Sequence, residues 1–151
     1  VPNSRAIQAE HLVLDYNGTL AIDGIMIPEV KEKLNFLANS IQIHVITADT
    51  FKSVEVNLEG IRCKLVVIEN ENQHRQKENY IHELGEKSVI AIGNGLNDSL
   101  MLKKSVLGIA LIQGEGASVM TVQSADIVCI SIIDALDLLI NPVRIVATLR
   151  K

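Results

Sequence analysis

The residues with the clearest chemical potential follow an apolar run near the N-terminus. Residues 12–19 read LVLDYNGT, so the run ends at Asp15, and Gly18 and Thr19 add a turn and a hydroxyl. The run predicts a strand buried on both faces, and open parallel sheets bind ligands at the carboxyl ends of such strands. Asp15 could therefore be a nucleophile or a metal ligand. The alternative is an Asx turn, in which the carboxylate only caps the backbone.

Other polar residues close later apolar runs in the same way. Thr47 ends one run, the loop at residues 93–98 (GNGLND) follows another, and Lys77 lies on the helix predicted between them. Because the carboxyl ends of parallel strands meet at one sheet edge, we expect these residues to lie beside Asp15. The set would offer a nucleophilic carboxylate, a hydroxyl, an ammonium and, at Asp98, a second carboxylate for a cation. Transfer of a phosphoryl group to a carboxylate requires these parts.

Alternating strands and helices must position these side chains. Apolar runs predict six strands, at residues 12–15, 41–47, 64–68, 89–92, 106–111 and 127–130. Helical periodicity fills the segments between them. This alternation predicts a single α/β domain over residues 1–151, with a mostly parallel sheet and helices on both faces.

A short hairpin is predicted directly after Asp15. Asp-Gly at residues 23–24 lies between two apolar arms, residues 20–22 and 25–27, which is a strong hairpin signal. We call residues 20–27 the flap. Its arms carry more apolar surface than a free hairpin should expose, so we expect cover from the domain body or from a second copy of the chain. Pro28 is expected in the first turn of the next helix.

Composition restricts the partners and the compartment. The chain has 151 residues, of which 48% are hydrophobic and 3% aromatic, and its net charge is −4. An aliphatic core follows, and the lack of clustered Lys and Arg argues against nucleic acid as a partner. We find no run of about 18 apolar residues that would predict a membrane span. Residues 1–10 are polar, which predicts no signal peptide.

The cysteines and histidines are interpreted as structural residues. Cys63 and Cys129 lie in apolar runs without ligand spacing, so we expect reduced thiols in the core and a cytoplasmic protein. The four histidines, at positions 11, 44, 74 and 82, also show no ligand spacing. We interpret them as ordinary surface or strand-edge residues.

The motifs together resemble the haloacid dehalogenase (HAD) superfamily. Residues 15–19, DYNGT, are similar to its first motif, D-x-D-x-T, and residues 93–98 are similar to its fourth, G-D-G-x-N-D. Thr47 and Lys77 resemble the second and third motifs. The closest resemblance is to the phosphorylation domain of P-type ATPases and to small soluble P-type ATPase-like proteins. It implies a three-layer Rossmann-like fold with strand order 3-2-1-4-5, which we extend with a sixth strand, and the spacing leaves no room for a cap domain.

The resemblance also implies roles for individual residues. Asp15 would be the nucleophile, phosphorylated in turnover. Mg²⁺ would be held by Asp15, the backbone carbonyl of Asn17 and Asp98, with Asn94 beside them, and Asn97 would orient this group. The predicted catalytic residues are Asp15, Asn17, Thr47 and Lys77. The predicted phosphate-binding residues are Asp15, Tyr16, Asn17, Gly18, Thr47, Ala48, Lys77 and Asn97.

Two departures from the family pattern affect the expected activity. Asn17 stands where many HAD phosphatases have an aspartate that acts as general acid and base, a contribution of roughly 10²–10⁴-fold. Asn94 stands where the fourth motif usually has aspartate, which lowers the negative charge available to Mg²⁺. We therefore expect a Mg²⁺-dependent phosphoric monoester hydrolase, slow in turnover, that acts on a small phosphorylated substrate or a phosphoprotein. The alternative is a phosphoryl-binding regulatory or interaction module with little turnover.

Overall fold

The computed structural model describes residues 8–49 and 52–151. Its strands are β1 (His11–Asp15), β2 (Ala21–Ile22), β3 (Ile25–Met26), β4 (Gln42–Thr47), β5 (Lys64–Val67), β6 (Val89–Gly93), β7 (Leu107–Leu111) and β8 (Ile127–Cys129). Six of them form one parallel sheet in the order β5-β4-β1-β6-β7-β8. Counted along the chain without the hairpin, this is 3-2-1-4-5-6, so the predicted order is confirmed.

Helices cover both faces of the sheet. They are α1 (Val30–Leu37), α2 (Lys52–Leu58), α3 (Gln73–Leu84), α4 (Ser99–Lys104), α5 (Val119–Ser124), α6 (Ile132–Ile140) and α7 (Val143–Leu149), with short 3₁₀ helices at Glu86–Ser88 and Leu96–Asp98. Leu12 and Leu14 face one apolar cluster, which holds α1, α2, α6 and α7, whereas Val13 faces a second, which holds α3 and α4. Because all three side chains are fully buried, β1 is covered on both faces, which confirms the three-layer α/β fold.

The central strand fixes the position of the expected chemistry. β1 pairs with β4 on one side and β6 on the other, and Asp15 lies opposite Ile46 in the register with β4. Thr47 therefore follows directly beside Asp15, and the loop after β6 begins at the same edge of the sheet. The buried apolar residues of β1 leave its carboxyl end as the first place where a polar side chain can reach solvent.

The flap forms as predicted, and its body-facing side is covered by the domain itself. β2 and β3 pair in an antiparallel hairpin, and Asp23 and Gly24 both have positive φ angles, 51° and 78°, as a two-residue type I′ turn requires. Met26 and Ile27 pack against the larger apolar cluster, while Ile25 is 73% exposed. Contact between the flap and a second copy of the chain stays a prediction.

A few boundaries differ from the expectation. Helix α1 begins at Val30, two residues after Pro28, because Glu29 has a φ of 74° and interrupts the helical backbone. The expected place of Pro28 in the first helical turn is therefore wrong.

Cys63 and Cys129 are free thiols, the first half-buried and the second buried. No helix in residues 8–49 and 52–151 has the length and apolarity needed to cross a membrane.

The expectation that all the histidines are surface or strand-edge residues is wrong for His44. It lies within β4, between β1 and β5, and its side chain is 2% exposed. His11 Nδ1 lies 3.0 Å from His44 Nε2, and His44 Nδ1 lies 2.6 Å from the Tyr80 hydroxyl. Burial, with smaller effects of His11 and Lys64, lowers the pKa of His44 to about 4. A buried polar residue is tolerated here because both ring nitrogens have partners.

His44 should make the stability of the fold depend on pH. Its pKa in the folded protein, about 4, lies below the ordinary value of 6.5, so the unfolded chain binds more protons between these values. The stabilisation is complete above pH 6.5 and is lost as the pH falls toward 4, by up to about 3 kcal/mol. We expect His44→Gln to flatten this part of the profile in denaturant unfolding measured across that range. His74→Gln, a change in an exposed histidine of α3, serves as control, and equal pH slopes in the wild type and His44→Gln would contradict the assignment.

Candidate active site

A polar cavity of about 520 Å³ opens at the carboxyl edge of the sheet. It is lined by Asp15, Asn17, Thr47, Ala48, Asp49, Asn70, Gln73, Lys77, Asn94, Gly95, Asn97 and Glu115. Most of the residues predicted for the site lie here. Tyr16, Gly18 and Asp98 do not line the cavity. Its volume is within the usual range for small-ligand sites, roughly 300–1,000 Å³.

Lys77 is the centre of the site's charge network. The residue lies on α3, and its side chain is 1% exposed. Its ammonium donates to Asp15 Oδ1 at 3.0 Å, to Asp98 Oδ1 at 2.7 Å and to Asn97 Oδ1 at 3.1 Å. A lysine ammonium has three protons, so all of them are used. Gln73, on the same helix, in turn accepts from Asn97 Nδ2 at 2.9 Å and fixes that amide.

Asp98 is buried behind the cavity. Its Oδ1 faces Lys77, and its Oδ2 accepts hydrogen bonds from the backbone N–H groups of Asn94 and Gly95, each at 3.0 Å. A Cβ at Gly93 would lie 2.5 Å from the Asp98 carboxyl carbon, so glycine is needed for the carboxylate to fold back in this way. Both oxygens are bonded within the protein, and the residue is fully buried.

Asn94 and Thr19 form the other side of the pocket around Asp15. Thr19 Oγ1 lies 3.2 Å from Asp15 Oδ2 and 3.4 Å from Asn94 Oδ1. The hydroxyl has one proton, so it donates a hydrogen bond to one of these oxygens at a time. Asn94 Nδ2 donates to the Gly116 carbonyl at 3.1 Å. Gly18 has a φ of 82°, and a Cβ there would clash with the Asn94 amide. The close approach of these two loops therefore depends on Gly18.

Thr47 and Tyr16 have different environments, although both were predicted to contact phosphate. Thr47 Oγ1 accepts a hydrogen bond from the Asp49 backbone N–H at 3.1 Å, which leaves the hydroxyl proton available to a bound anion. The Tyr16 side chain is 1% exposed, and its hydroxyl accepts from Asn57 Nδ2 at 2.9 Å. The Tyr16 ring thus belongs to the core, and only its backbone is close to the nucleophile.

Burial and the shared ammonium set the protonation of the site. Burial, followed by the charge of Asp98, raises the pKa of Asp15 to about 7 against the opposing effects of Lys77 and Thr19. Burial alone would lower the pKa of Lys77, but the charges of Asp15 and Asp98 outweigh it and raise that pKa. Two carboxylates share one ammonium, so one negative charge of this group is not compensated within the protein. A cation bound beside Asp15 would offset it.

The oxygen atoms around Asp15 fit a hard cation. Among the described residues, no group of three His, Cys, Asp or Glu side chains could hold a metal ion. Asp15 supplies one carboxylate, Asn94 Oδ1 supplies a neutral oxygen on the other side of Thr19, and Asn17 also lines the cavity. Such a set of few oxygens suits Mg²⁺, which keeps several of its waters in protein sites, better than a transition metal that prefers nitrogen or sulfur.

Gln113 joins the site to the body of the domain and was not predicted from the sequence. Its Nε2 donates to the carbonyls of Gly18 and Thr19, both at 2.9 Å, and its Oε1 accepts from the Ile132 N–H at 2.9 Å. The side chain thus ties the loop after Asp15 to the first residue of α6. The available signal was its position two residues after β7, at the carboxyl edge where the other polar residues lie.

We expect Gln113→Ala to loosen the loop that follows Asp15. The variant loses three hydrogen bonds, each worth about 0.5–1.5 kcal/mol, so the free energy of unfolding should fall by about 1.5–4.5 kcal/mol. Hydrogen exchange should accelerate in residues 16–22 before it does in the sheet. Gln123→Ala, on the exposed side of α5, is the matched control and should change stability by less than about 0.5 kcal/mol. Unchanged exchange in residues 16–22 would rule out this role for Gln113.

Comparison with known sequences identifies one close relative and one partial match. No protein-family model matches the chain. The protein MJ0073 of Methanocaldococcus jannaschii, of uncharacterised function, is 56% identical over 64 residues, which are 42% of this chain and 69% of that protein. The chain belongs to the same family as MJ0073. A copper-exporting P-type ATPase of Archaeoglobus fulgidus is 32% identical over 115 residues, which are 75% of this chain but 14% of the ATPase.

Solved structures share the fold over nearly the whole chain. The phosphatase for 3-deoxy-D-manno-octulosonate 8-phosphate from Moraxella catarrhalis, in complex with magnesium, phosphate and the sugar acid, has a TM-score of 0.74 and 15% identity, covering 99% of this chain and 98% of its own. The cobalt-bound enzyme of Haemophilus influenzae has a TM-score of 0.72 and 12% identity, covering 91% of both chains. A Legionella pneumophila protein assigned to HAD subfamily III A has a TM-score of 0.76, 17% identity, and coverage of 97% and 90%. The fold is that of the HAD superfamily, as the motifs indicated.

Proposed function

We propose that this chain is a divalent-metal-dependent phosphohydrolase that acts through an aspartyl-phosphate on Asp15. The observation that carries the proposal is the convergence of Asp15, Thr47 and Lys77, from three separate elements, on one polar cavity. The M. catarrhalis neighbour, which shares the fold, is a phosphatase and contains magnesium and phosphate. Phosphoryl transfer depends mainly on positioning and charge neutralisation, which this arrangement offers.

The proposed reaction has two steps at one phosphorus atom. A carboxylate oxygen of Asp15 attacks the phosphorus of a phosphomonoester, and the bond from phosphorus to the ester oxygen breaks with departure of an alkoxide, which takes a proton from solvent water. Water then attacks the same phosphorus and loses a proton to solvent, and the bond from phosphorus to Asp15 breaks, which releases inorganic phosphate and restores the Asp15 carboxylate. Thr47 donates its free hydroxyl proton to a phosphoryl oxygen. Lys77 does the same by exchanging its longest bond, the 3.1 Å contact with Asn97.

The metal would be held at the open side of Asp15. We assign it to the Asp15 carboxylate, the Asn17 carbonyl and Asn94 Oδ1, and when bound it would neutralise phosphoryl charge. Asp98, also in the predicted metal set, would have to give up a bond to Lys77 or to a backbone N–H in order to reach a cation. We therefore propose that Asp98 holds Lys77 and the loop in place, and that Asn94 is the ligand from this loop.

Asn17 limits the rate in this mechanism. An amide cannot protonate a leaving alkoxide or activate water, so turnover should be slow for alkyl phosphates and faster for leaving groups that need no proton. The competing proposal is a phosphoryl-binding module with little turnover. It is supported by Asn17, which cannot transfer protons, and by Lys77, whose three protons are all donated within the protein. The two proposals differ in whether the phosphoenzyme forms and decays.

We expect Asp15→Asn to abolish phosphatase activity without unfolding the chain. The amide oxygen can still accept from Lys77, but it is no nucleophile, so hydrolysis of p-nitrophenyl phosphate with Mg²⁺ should fall by at least about 10³-fold. The wild type, quenched in acid during turnover, should carry one phosphoryl group on the peptide that contains Asp15. Asp134→Asn, a change of the same type on the exposed side of α6, should keep the wild-type rate. Undiminished turnover in purified Asp15→Asn would refute the covalent mechanism.

We expect Asn94→Asp to increase the affinity for Mg²⁺. The new carboxylate adds a charged ligand, but it also replaces the amide that donates to the Gly116 carbonyl and leaves two oxygens facing each other. Without metal, the melting temperature should therefore fall, and Mg²⁺ should raise it more than in the wild type. Asn70→Asp makes the same change elsewhere in the cavity and serves as control. If both variants respond equally to Mg²⁺, Asn94 is not a ligand.

A further inference from the structure

We propose that the cavity selects phosphomonoesters whose alcohol carries an ammonium or hydroxyl groups, and that it disfavours those with a second anionic group. This inference rests on the proposed phosphohydrolase function and adds the class of substrate. It follows from the charges and hydrogen-bonding groups that remain around the phosphoryl position once the nucleophile, Lys77 and the metal are assigned.

The cavity offers no cation to a second anion. Lys77 is the only Lys or Arg among the described residues that line it. Its side chain is 1% exposed, and the three protons of its ammonium are donated to Asp15, Asp98 and Asn97. A phosphoryl group can compete for one of them, because it binds beside Asp15 and the proposed metal position. A carboxylate elsewhere on the substrate would find no basic partner in this lining.

The outer part of the cavity is acidic. Asp49, two residues after β4, and Glu115, four residues after β7, both contribute carboxylates to the lining. Glu115 is held at the rim because its Oε2 accepts a hydrogen bond from the backbone N–H of Asp23, at the tip of the flap, at 3.0 Å. Its carboxylate therefore has a defined place at the exposed part of the lining, where we place the alcohol part of a substrate.

Neutral amides complete the lining. Asn70 and Gln73 lie on the side of α3, and Ala48 is the only residue of the described lining with a purely apolar side chain. Amides both donate and accept, so they suit hydroxyl groups, whereas an aryl or alkyl group would find little apolar surface. Amides with two carboxylates thus match a hydroxylated or amine-bearing alcohol.

Simple electrostatics decides between the substrate classes. Asp98 already shares the Lys77 ammonium with Asp15, so a bound metal and Lys77 do not exceed the negative charge of the phosphoryl group and these two carboxylates. The exposed Glu115 adds a further negative charge near the alcohol. A second anion there meets like charges, and an ammonium meets opposite ones. The disfavoured class includes octulosonate phosphates, the substrates named for the solved neighbours, because an octulosonate carries a carboxylate.

The test uses three non-hydrolysable phosphonates of equal length, with the wild-type chain and Mg²⁺. They are 2-aminoethylphosphonate, 2-hydroxyethylphosphonate and phosphonoacetate, which differ only in an ammonium, a hydroxyl or a carboxylate at the far end. Dissociation constants from NMR titration at low ionic strength avoid differences in leaving-group reactivity. We expect the amine and the hydroxyl compound to bind more tightly than phosphonoacetate, and added salt to reduce the difference.

Glu115→Gln tests whether the carboxylate of Glu115 causes this binding preference. The glutamine oxygen can still accept from Asp23, so the flap contact is kept while one charge is removed. We expect the preference for 2-aminoethylphosphonate over phosphonoacetate to weaken. The ratio of the dissociation constant of 2-aminoethylphosphonate to that of phosphonoacetate should rise by about two- to fivefold, the effect of one solvent-exposed charge. Glu59→Gln removes an equal charge just after the end of α2, outside the cavity lining, and should leave the ratio unchanged.

The outcomes separate this inference from the proposed function. Phosphonoacetate binding as tightly as the hydroxyl compound, an unchanged ratio in Glu115→Gln, or no binding of any phosphonate would overturn the inference. Formation and decay of the phosphoenzyme on Asp15 test the proposed function independently. A chain that hydrolyses p-nitrophenyl phosphate but prefers phosphonoacetate keeps the function and loses the inference. A chain with the expected order of affinities but no phosphoenzyme would be a selective phosphoryl-binding module.

Discussion

The buried ammonium of Lys77, held between the carboxylates of Asp15 and Asp98, is the interaction on which this site depends. A lysine that is 1% exposed is tolerated only because three oxygen acceptors surround its nitrogen. The contacts join α3 to the ends of β1 and of the loop after β6, so one side chain connects three elements of the fold. Removing one partner of such a group leaves a buried charge uncompensated, at a cost of about 3–5 kcal/mol.

This charge network explains the shape of the surrounding loops. Asp98 can fold back toward Lys77 because Gly93 leaves room for its carboxylate and the N–H groups of Asn94 and Gly95 satisfy its second oxygen. Gly18 leaves room for the Asn94 amide, and Gln113 holds the backbone of the Asp15 loop from the other side. The nucleophile is therefore surrounded by backbone that is fixed by hydrogen bonds, as a preorganised phosphoryl site requires.

The same site has fewer charges and proton carriers than the family pattern provides. Asn17 removes a general acid, and Asn94 removes a carboxylate from the metal position, yet Asp15, Thr47 and Lys77 keep the geometry of transfer to a carboxylate. In the proposed mechanism, such a balance would favour a phosphoenzyme that forms with activated esters and decays slowly. In the proposed selection of substrates, the carboxylates that line the outer cavity, Glu115 above all, would disfavour an alcohol that carries a second anion.

Local and periodic features of the sequence were sufficient to predict the strands, the flap turn and the residues that meet at the cavity. Apolar runs specify buried strands, Asp23-Gly24 specifies a tight turn, and parallel strands bring Asp15, Thr47 and Asn94 to one edge whatever their separation in the chain. The motif resemblance added the strand order. Only the tertiary structure decided that Asp98 turns behind the cavity, that Gln113 reaches the Gly18 carbonyl, that Glu115 holds the flap tip and that His44 is buried against Tyr80. These contacts join residues 21 to 95 positions apart, and each depends on which of several polar neighbours the packing brings within hydrogen-bond distance, which no local pattern encodes.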